Sequence, residues 1–339
     1  MVFGAGASFD SVPETEFTEA HKVGVAQPPL AKDLFTTRFA RFLHPRAAPL
    51  VGEIRSQLSR GRNVEDILQV FADAADDGDG RLRQQLMAIR FYLQRVMDFC
   101  GAEWNTISWG VTNYGTLINR VDRWRRQVNG RVLMVTFNYD LLLEHGCHNV
   151  TEFNEFNVKD LSGYVSRPDY KVFKLHGSVN WQRLVKESAE ADENILIGRA
   201  DTVSLTDFYV LAGNESDDYA HIPAIAVPTQ TKTTFECPAE HIEILQRELI
   251  RVDRALLVGW RGQEQHYLGL MNENLPDLLP GLVVNGSEPG SSETVARLNV
   301  AVPGRAWVAS PVGFTALVER EQPLDRLLYE GVAQASEAS

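Results

Sequence analysis

Short runs of branched apolar residues, each ending in Gly, Asn, Asp or Ser, recur through the second half of the chain. They are RVLMVTFNYD, YKVFKLHGSVNW, NILIG, AIAVPT, RALLVGW, GLVVNG and RAWVAS. Runs this short and this uniformly apolar suit parallel strands covered on both faces, because such strands have no solvent side to alternate toward. HIEILQRELIRVD, between two of them, has the spacing of an amphipathic helix. Strands alternating with helices predict an α/β fold, a Rossmann-like doubly wound parallel sheet. Ligands of such sheets bind beyond the carboxyl ends of the strands. Those ends carry GAGAS, TFNYD, LHGS, VGWRG and VVNGS, so polar residues and glycines are expected to converge on one edge.

The stretch before these runs has a different texture. Residues 11–28 are polar and aperiodic and read as a loop closing over a site. PPLAKDLFTTRFARFL follows a proline pair that suits a helix start. NVEDILQVFADAA has Asn63 as N-cap and acids in its first turn. Leu82, Leu86, Ile89, Leu93 and Val96 recur at helical spacing, as do Leu117, Val121, Trp124 and Val128. The expected organisation is therefore a nucleotide-binding domain over 1–29 and 129–330, a helical insertion module of four or five helices over 30–128, and a disordered tail over 331–339. Only Met1–Phe3 precede the first glycine turn, where a buried strand normally has about 5–6 residues. Either the first strand is unusually short or the natural reading frame starts earlier.

Composition narrows the function classes. A net charge of −12 argues against a general nucleic-acid binder, which needs a basic surface for phosphates. Three scattered cysteines, Cys100, Cys147 and Cys237, suit neither a disulfide framework nor a zinc site. No apolar run reaches the roughly 20 residues of a membrane helix. A soluble cytoplasmic protein is expected.

Three motifs carry candidate chemistry. In FGAGAS, Gly4 and Gly6 permit a tight turn and close approach to a pyrophosphate, the amides of Ala5, Gly6, Ala7 and Ser8 can face an anion, and Ser8 adds a hydroxyl. The hydride-transfer fingerprint is incomplete. It needs Gly or Ala where Phe9 stands, and an acid closing the next strand about 20 residues on. In VTFNYD, alternation puts Asn138 and Asp140 on one side near a strand end. In KLHGS, His176 is a candidate general base, with Gly177 leaving room beside it. Each motif alone also has a plain structural reading: a tight turn, an Asn/Asp turn, a buried hydrogen-bonded histidine.

In this order the three motifs resemble the sirtuin family. LLVGWRG and VVNGS stand where that family has a Gly-Thr-Ser turn and an Asn-containing strand end, although Trp260-Arg261 replaces the small residues expected after Gly259. Protein-deacylating sirtuins carry a four-cysteine zinc module after the histidine, and only Cys237 follows His176 here. Their Pro-Asp-Phe-Arg segment is also missing. With the helical insertion, the pattern resembles the zinc-less sirtuin-like NAD hydrolases of bacterial phage defence.

That resemblance implies cleavage of NAD⁺ to nicotinamide and ADP-ribose, with no zinc. It implies a cofactor-binding set of Gly4, Ala5, Gly6, Ala7, Ser8, Asp10, Asp140, Gly177, Gly259, Trp260 and Asn285. Asp140 would bind the nicotinamide carboxamide and Asn285 the adenosine ribose. Asn138 would position the attacking water or the ribose, and His176 would accept a proton. It further implies a homo-oligomer and a separately encoded activator or sensor, such as a HerA-like ATPase or an Argonaute-like protein. A deacylase or ADP-ribosyltransferase, and a non-catalytic NAD or ADP-ribose sensor, are the alternatives.

Overall fold

The computed structural model describes residues 1–12, 26–151, 160–215, 218–229 and 235–330. Most of the loop expected at 11–28, and the tail at 331–339, lie outside them.

Six strands form one parallel sheet: β1 (Val2–Phe3), β2 (Val132–Thr136), β3 (Tyr170–Lys174), β7 (Ala255–Val258), β8 (Pro280–Val284) and β9 (Ala306–Ala309), in the order β3-β2-β1-β7-β8-β9. Counted within the sheet this is 3-2-1-4-5-6, the Rossmann order, and the fold is α/β and Rossmann-like. The first strand, as described, is two residues long. Both of its edges are paired: Val2 lies opposite Val135 and Leu257, and Phe3 opposite Thr136 and Val258. Both side chains are buried, worth roughly 1.5–3 kcal/mol each.

The first half folds into α1 (Ala5–Phe9), α2 (Ala48–Ser59), α3 (Val64–Asp76), α4 (Gly80–Ile107) and α5 (Asn113–Val128). Asn63 caps α3, accepting from the Glu65 amide. On α5, Leu117, Ile118, Val121 and Trp124 join the core that covers the parallel sheet. Leu50, Val51 and Ile54 of α2, Val64, Ile67 and Leu68 of α3, and the buried apolar residues of α4 from Ala88 to Cys100 form a second core.

Three expectations need correction. PPLAKDLFTTRFARFL forms two 3₁₀ turns, at Ala31–Asp33 and Thr37–Phe42, instead of one helix, and a third turn at Pro45–Ala47 follows it. The guanidinium of Arg55, on α2, takes the carbonyls of Phe35 and Thr36 that an α-helix would use internally. NILIG is not a strand but helix α7 (Glu193–Gly198), capped by Asp192 accepting from the Ile195 amide at 2.9 Å. AIAVPT does not extend the parallel sheet. It overlaps β6 (Tyr219–Ile225), which with β4 (Gly177–Ser188) and β5 (Leu205–Leu211) makes a separate antiparallel sheet in the order β5-β4-β6. Val179, Ile197 and Ile225 of this region share the core of α2–α4. Glu236 is bridged by Arg90 of α4 at 3.1 Å and Arg183 of β4 at 3.0 Å. The remaining helices that place the site are α6 (Leu142–Val150), α8 (Ala239–Leu249), α9 (Gln265–Asn274), α10 (Glu288–Ala301) and α11 (Phe314–Glu319). Among the described residues no helix is long and apolar enough to cross a membrane.

Candidate functional site

The strand order reverses between β1 and β7, and a doubly wound sheet opens its ligand crevice at such a point. Two glycine turns meet there. The amide of Gly4 donates to the Val258 carbonyl at 3.0 Å, and that of Gly6 to the Gly259 carbonyl at 3.1 Å. A Cβ on Gly4 would lie 2.6 Å from the Gly259 oxygen, and one on Gly6 2.9 Å from the Gly259 Cα. Gly259 has φ +62°, and its Cβ would lie 2.0 Å from the Ala7 nitrogen. The glycines of GAGAS are thus required by backbone packing against Gly259, whatever else they serve. The Gly6 and Ala7 amides are engaged within the protein, on Gly259 and on Gly4.

Asn138, just beyond β2, is joined directly to the first turn. Its Nδ2 lies 3.0 Å from the Gly4 carbonyl, 2.9 Å from Ser8 Oγ and 3.1 Å from the Tyr114 hydroxyl. Its backbone amide donates to Thr136 Oγ1 at 3.1 Å. Asp140 is buried. Its Oδ1 accepts the Leu142 amide at 3.0 Å, starting α6, and its Oδ2 has no hydrogen bond. Beneath it lies a fully buried ion pair, Lys174 to Glu144 at 2.8 Å, and Lys174 also donates to the Asp140 carbonyl. Burial pushes the Glu144 carboxyl up, partly offset by Lys174.

His176 is buried, its ring 4.9 Å from that of Phe137 and 6.4 Å from that of Tyr139. Phe137 and Tyr139 therefore turn toward His176, while Asn138 turns toward α1 and α5. Gly177 has φ +81°, and its Cβ would lie 1.8 Å from the Ala224 carbonyl. The glycine serves the contact between β4 and β6, where the sequence suggested space beside the histidine.

The other candidates are placed as follows. Trp260 is buried, stacked on Phe137 at 5.5 Å, with its indole N–H on Glu264. Asp10 anchors α11, accepting from the Thr315 hydroxyl at 2.6 Å and the Thr315 amide at 3.2 Å. Asn285 donates to the Gly290 carbonyl at 3.1 Å and Thr294 Oγ1 at 3.0 Å, inside the start of α10. Gly4, Ser8, Asn138 and Gly259 are in direct contact or one bond apart, whereas the Asp10 and Asn285 side chains are tied to their own neighbouring helices.

Sequence reasoning missed Tyr114 and the Lys174–Glu144 pair. Lys174 had a visible signal, a cation inside an apolar run next to His176. Tyr114 had none, because it joins the site across more than a hundred residues of chain.

A cavity of about 730 Å³ opens at the opposite edge of the sheet, against the amino ends of the strands, between Met1, Leu133, Leu256 and Leu327. It is remote from the strand-end loops just described. Among the described residues no group of three or more His, Cys, Asp or Glu could hold a metal ion.

The sequence matches no protein-family model and no curated protein. Among solved structures the chain is similar to one described as the crystal structure of a Sir2 homolog–NAD complex. The likeness has a TM-score of 0.37 and 11% identity, over 94% of this chain and 86% of that one. A likeness so distant decides neither ligand nor activity, and the fold assignment stands on strand order and register.

Proposed function

We propose that the chain is a sirtuin-like NAD⁺ hydrolase, cleaving the nicotinamide–ribosyl bond to nicotinamide and ADP-ribose. The observation that carries this reading is the direct bonding of Asn138, at the end of β2, to the glycine turn at the switch point of the sheet. Two unused acceptors favour this substrate. Asp140 Oδ2 is buried without a partner and suits the N–H₂ of a carboxamide. Asn138 Oδ1 accepts no hydrogen bond from the described residues and suits a water or a ribose hydroxyl.

In the reaction, the bond between ribose C1′ and the cationic nicotinamide nitrogen breaks, and its electron pair leaves with neutral nicotinamide. The ribose becomes oxocarbenium-like, as in glycoside hydrolysis. Asn138 holds the attacking water or the ribose, and Asp140 holds the leaving carboxamide. Water forms the new bond at C1′, and its proton passes to His176 acting as base. The turn from Gly4 to Ser8 takes the pyrophosphate through the Ala5 amide and the Ser8 hydroxyl, since the Gly6 and Ala7 amides are engaged. With those departures, Asn285 and Asp10 act by shaping the loops of α10 and α11.

The test is chromatography of NAD⁺ incubated with the purified chain, alone and with the product of a neighbouring gene. Uncontrolled NAD⁺ loss would harm the cell, so turnover is expected to depend on self-assembly or on a HerA-like or Argonaute-like partner. Nicotinamide and ADP-ribose should appear in equal amounts. His176→Ala and Asn138→Ala should each lower the rate by about 10²–10⁴-fold while the protein stays folded. Wild-type turnover in both variants would refute the site. An acylated-peptide arm detects deacylation or transfer, and tight binding without turnover under every condition marks a sensor.

A further inference from the structure

Three oxygens surround the single Nδ2 of Asn138, and only two protons are available to reach them. The Gly4 carbonyl can accept but never donate. It therefore fixes which end of the Asn138 amide faces inward and leaves Oδ1 facing away. Toward the two hydroxyls Nδ2 can only donate, so Asn138 accepts no proton from Tyr114 or Ser8. The Tyr114 and Ser8 oxygens lie 3.1 Å apart. Tyr114 is buried, and Ser8 Oγ is the only described acceptor its proton reaches. Tyr114 must then donate to Ser8, because the reverse arrangement strands a buried phenol proton, which is costly. Ser8, already accepting, keeps its own proton for an acceptor outside the described residues.

The phenol is held stiffly enough to impose this order. Its ring meets Phe3 at 5.3 Å and Phe314 at 5.7 Å, both edge-on. The start of α5 is bolted to the first turn. The Asn113 amide donates to the Ser11 carbonyl at 2.6 Å, and Asn113 Nδ2 donates to the Asp10 carbonyl at 2.7 Å. Trp104 of α4 donates to Ser11 Oγ at 2.8 Å. Burial, reinforced by the nearby Asp140 charge, holds the phenol well above its ordinary pKa, so it remains a donor at any working pH.

We propose that Tyr114, contributed by the helical first half, is a positioning residue that aims the Asn138 amide and the Ser8 hydroxyl for NAD⁺ cleavage. It takes one Asn138 proton and gives its own to Ser8, so the water-positioning group and the phosphate-facing hydroxyl are set by one atom. As a statement about cleavage it rests on the hydrolase reading; as a statement about the amide it does not.

The experiment uses the full chain with Tyr114→Phe, which keeps the ring and removes the hydroxyl. In a protein that turns over NAD⁺, kcat should fall about tenfold with KM within about twofold, the size expected when one neutral hydrogen bond is lost from the transition state. Ser8→Ala should cost less in the Tyr114→Phe background than in wild type, because the two hydroxyls form one chain. In parallel, ¹⁵N-asparagine labelling follows the Asn138 side-chain protons. Their exchange with water should quicken at least tenfold in Tyr114→Phe, while the buried Asn113 amide stays unchanged. If wild type turns over NAD⁺, an unchanged kcat, or a rise in KM alone, overturns the proposal. If wild type is inactive under every condition, the hydrolase reading fails on its own, and unchanged Asn138 exchange then overturns the role of Tyr114.

Discussion

Gly259 shows how much backbone packing can demand of a single position. Its place in VGWRG marks it as a turn glycine, and it is one, at φ +62°. The physical demand is the backbone of Gly6 and Ala7 pressed against it. Gly259→Ala should therefore cost at least about 3 kcal/mol in denaturant unfolding, combining left-handed strain with a clash no rotamer relieves. Gly61 has φ +81° but open space around it. Gly61→Ala should cost only about 1–2 kcal/mol, the strain alone. Equal losses in the two variants would show that the packing of the two turns contributes nothing. The same contrast explains why Tyr114 escaped sequence reasoning while Asn138 did not. Asn138 ends an apolar run, a local signal. Tyr114 is one aromatic in an amphipathic helix, and its hydroxyl gains meaning only from what folds onto it.

Between elements, the Lys174–Glu144 pair fastens β3 to α6 directly under Asp140. A buried pair is held by mutual compensation, so losing one partner strands the other charge. Lys174→Met alone should destabilise the protein by about 3–5 kcal/mol, and adding Glu144→Leu should recover most of that. The double variant should also relax the Asp140 carbonyl, which Lys174 holds. If the single variant is as stable as wild type, the pair is not structurally required. The elements most legible in the sequence were those with a clean period. The α3 cap, the α5 stripe apart from Val128, which is exposed, and the five longer parallel strands follow from local pattern. NILIG failed because three apolar residues serve a buried strand or a short helix equally well, and the Asp192 cap decides for helix. The segment over 30–45 failed because Arg55, from another helix, removes the carbonyls that the periodicity assumed were free.

Across the whole molecule, two cores meet beside His176. One covers the parallel sheet, and the other joins α2–α4 to the small antiparallel sheet. Within the first of these cores, His241 of α8 lies buried against Phe173 and Trp181, with its Nε2–H donated to the Leu161 carbonyl at 2.9 Å. Burial lowers its pKa to about 4, partly opposed by that bond. The folded chain therefore holds His241 neutral, while the unfolded chain protonates it below about 6.5. Stability from this group is complete above pH 6.5 and is lost as pH falls toward 4, by about 3 kcal/mol in all. Unfolding series at pH 7 and pH 4.5 should show His241→Gln losing less stability on acidification than wild type. An identical pH dependence in both would remove His241 as a contributor.

Local order in the chain was enough to establish the class of sheet, which strand ends carry polar groups, and the candidacy of Gly4, Ser8, Asn138, Asp140 and His176. These follow from short-range physics: apolar runs must be buried, and polar residues at their ends mark where the strands stop and loops begin. Folding settled the rest. It built a second sheet that takes in AIAVPT and the end of YKVFKLHGSVNW, both expected to be parallel, together with β5, which was in no expected run, engaged Asp10 and Asn285 with neighbouring helices, and brought Tyr114 to Asn138. Those outcomes depend on which distant groups compete for the same carbonyls, protons and space, and that competition exists only once the chain has closed on itself.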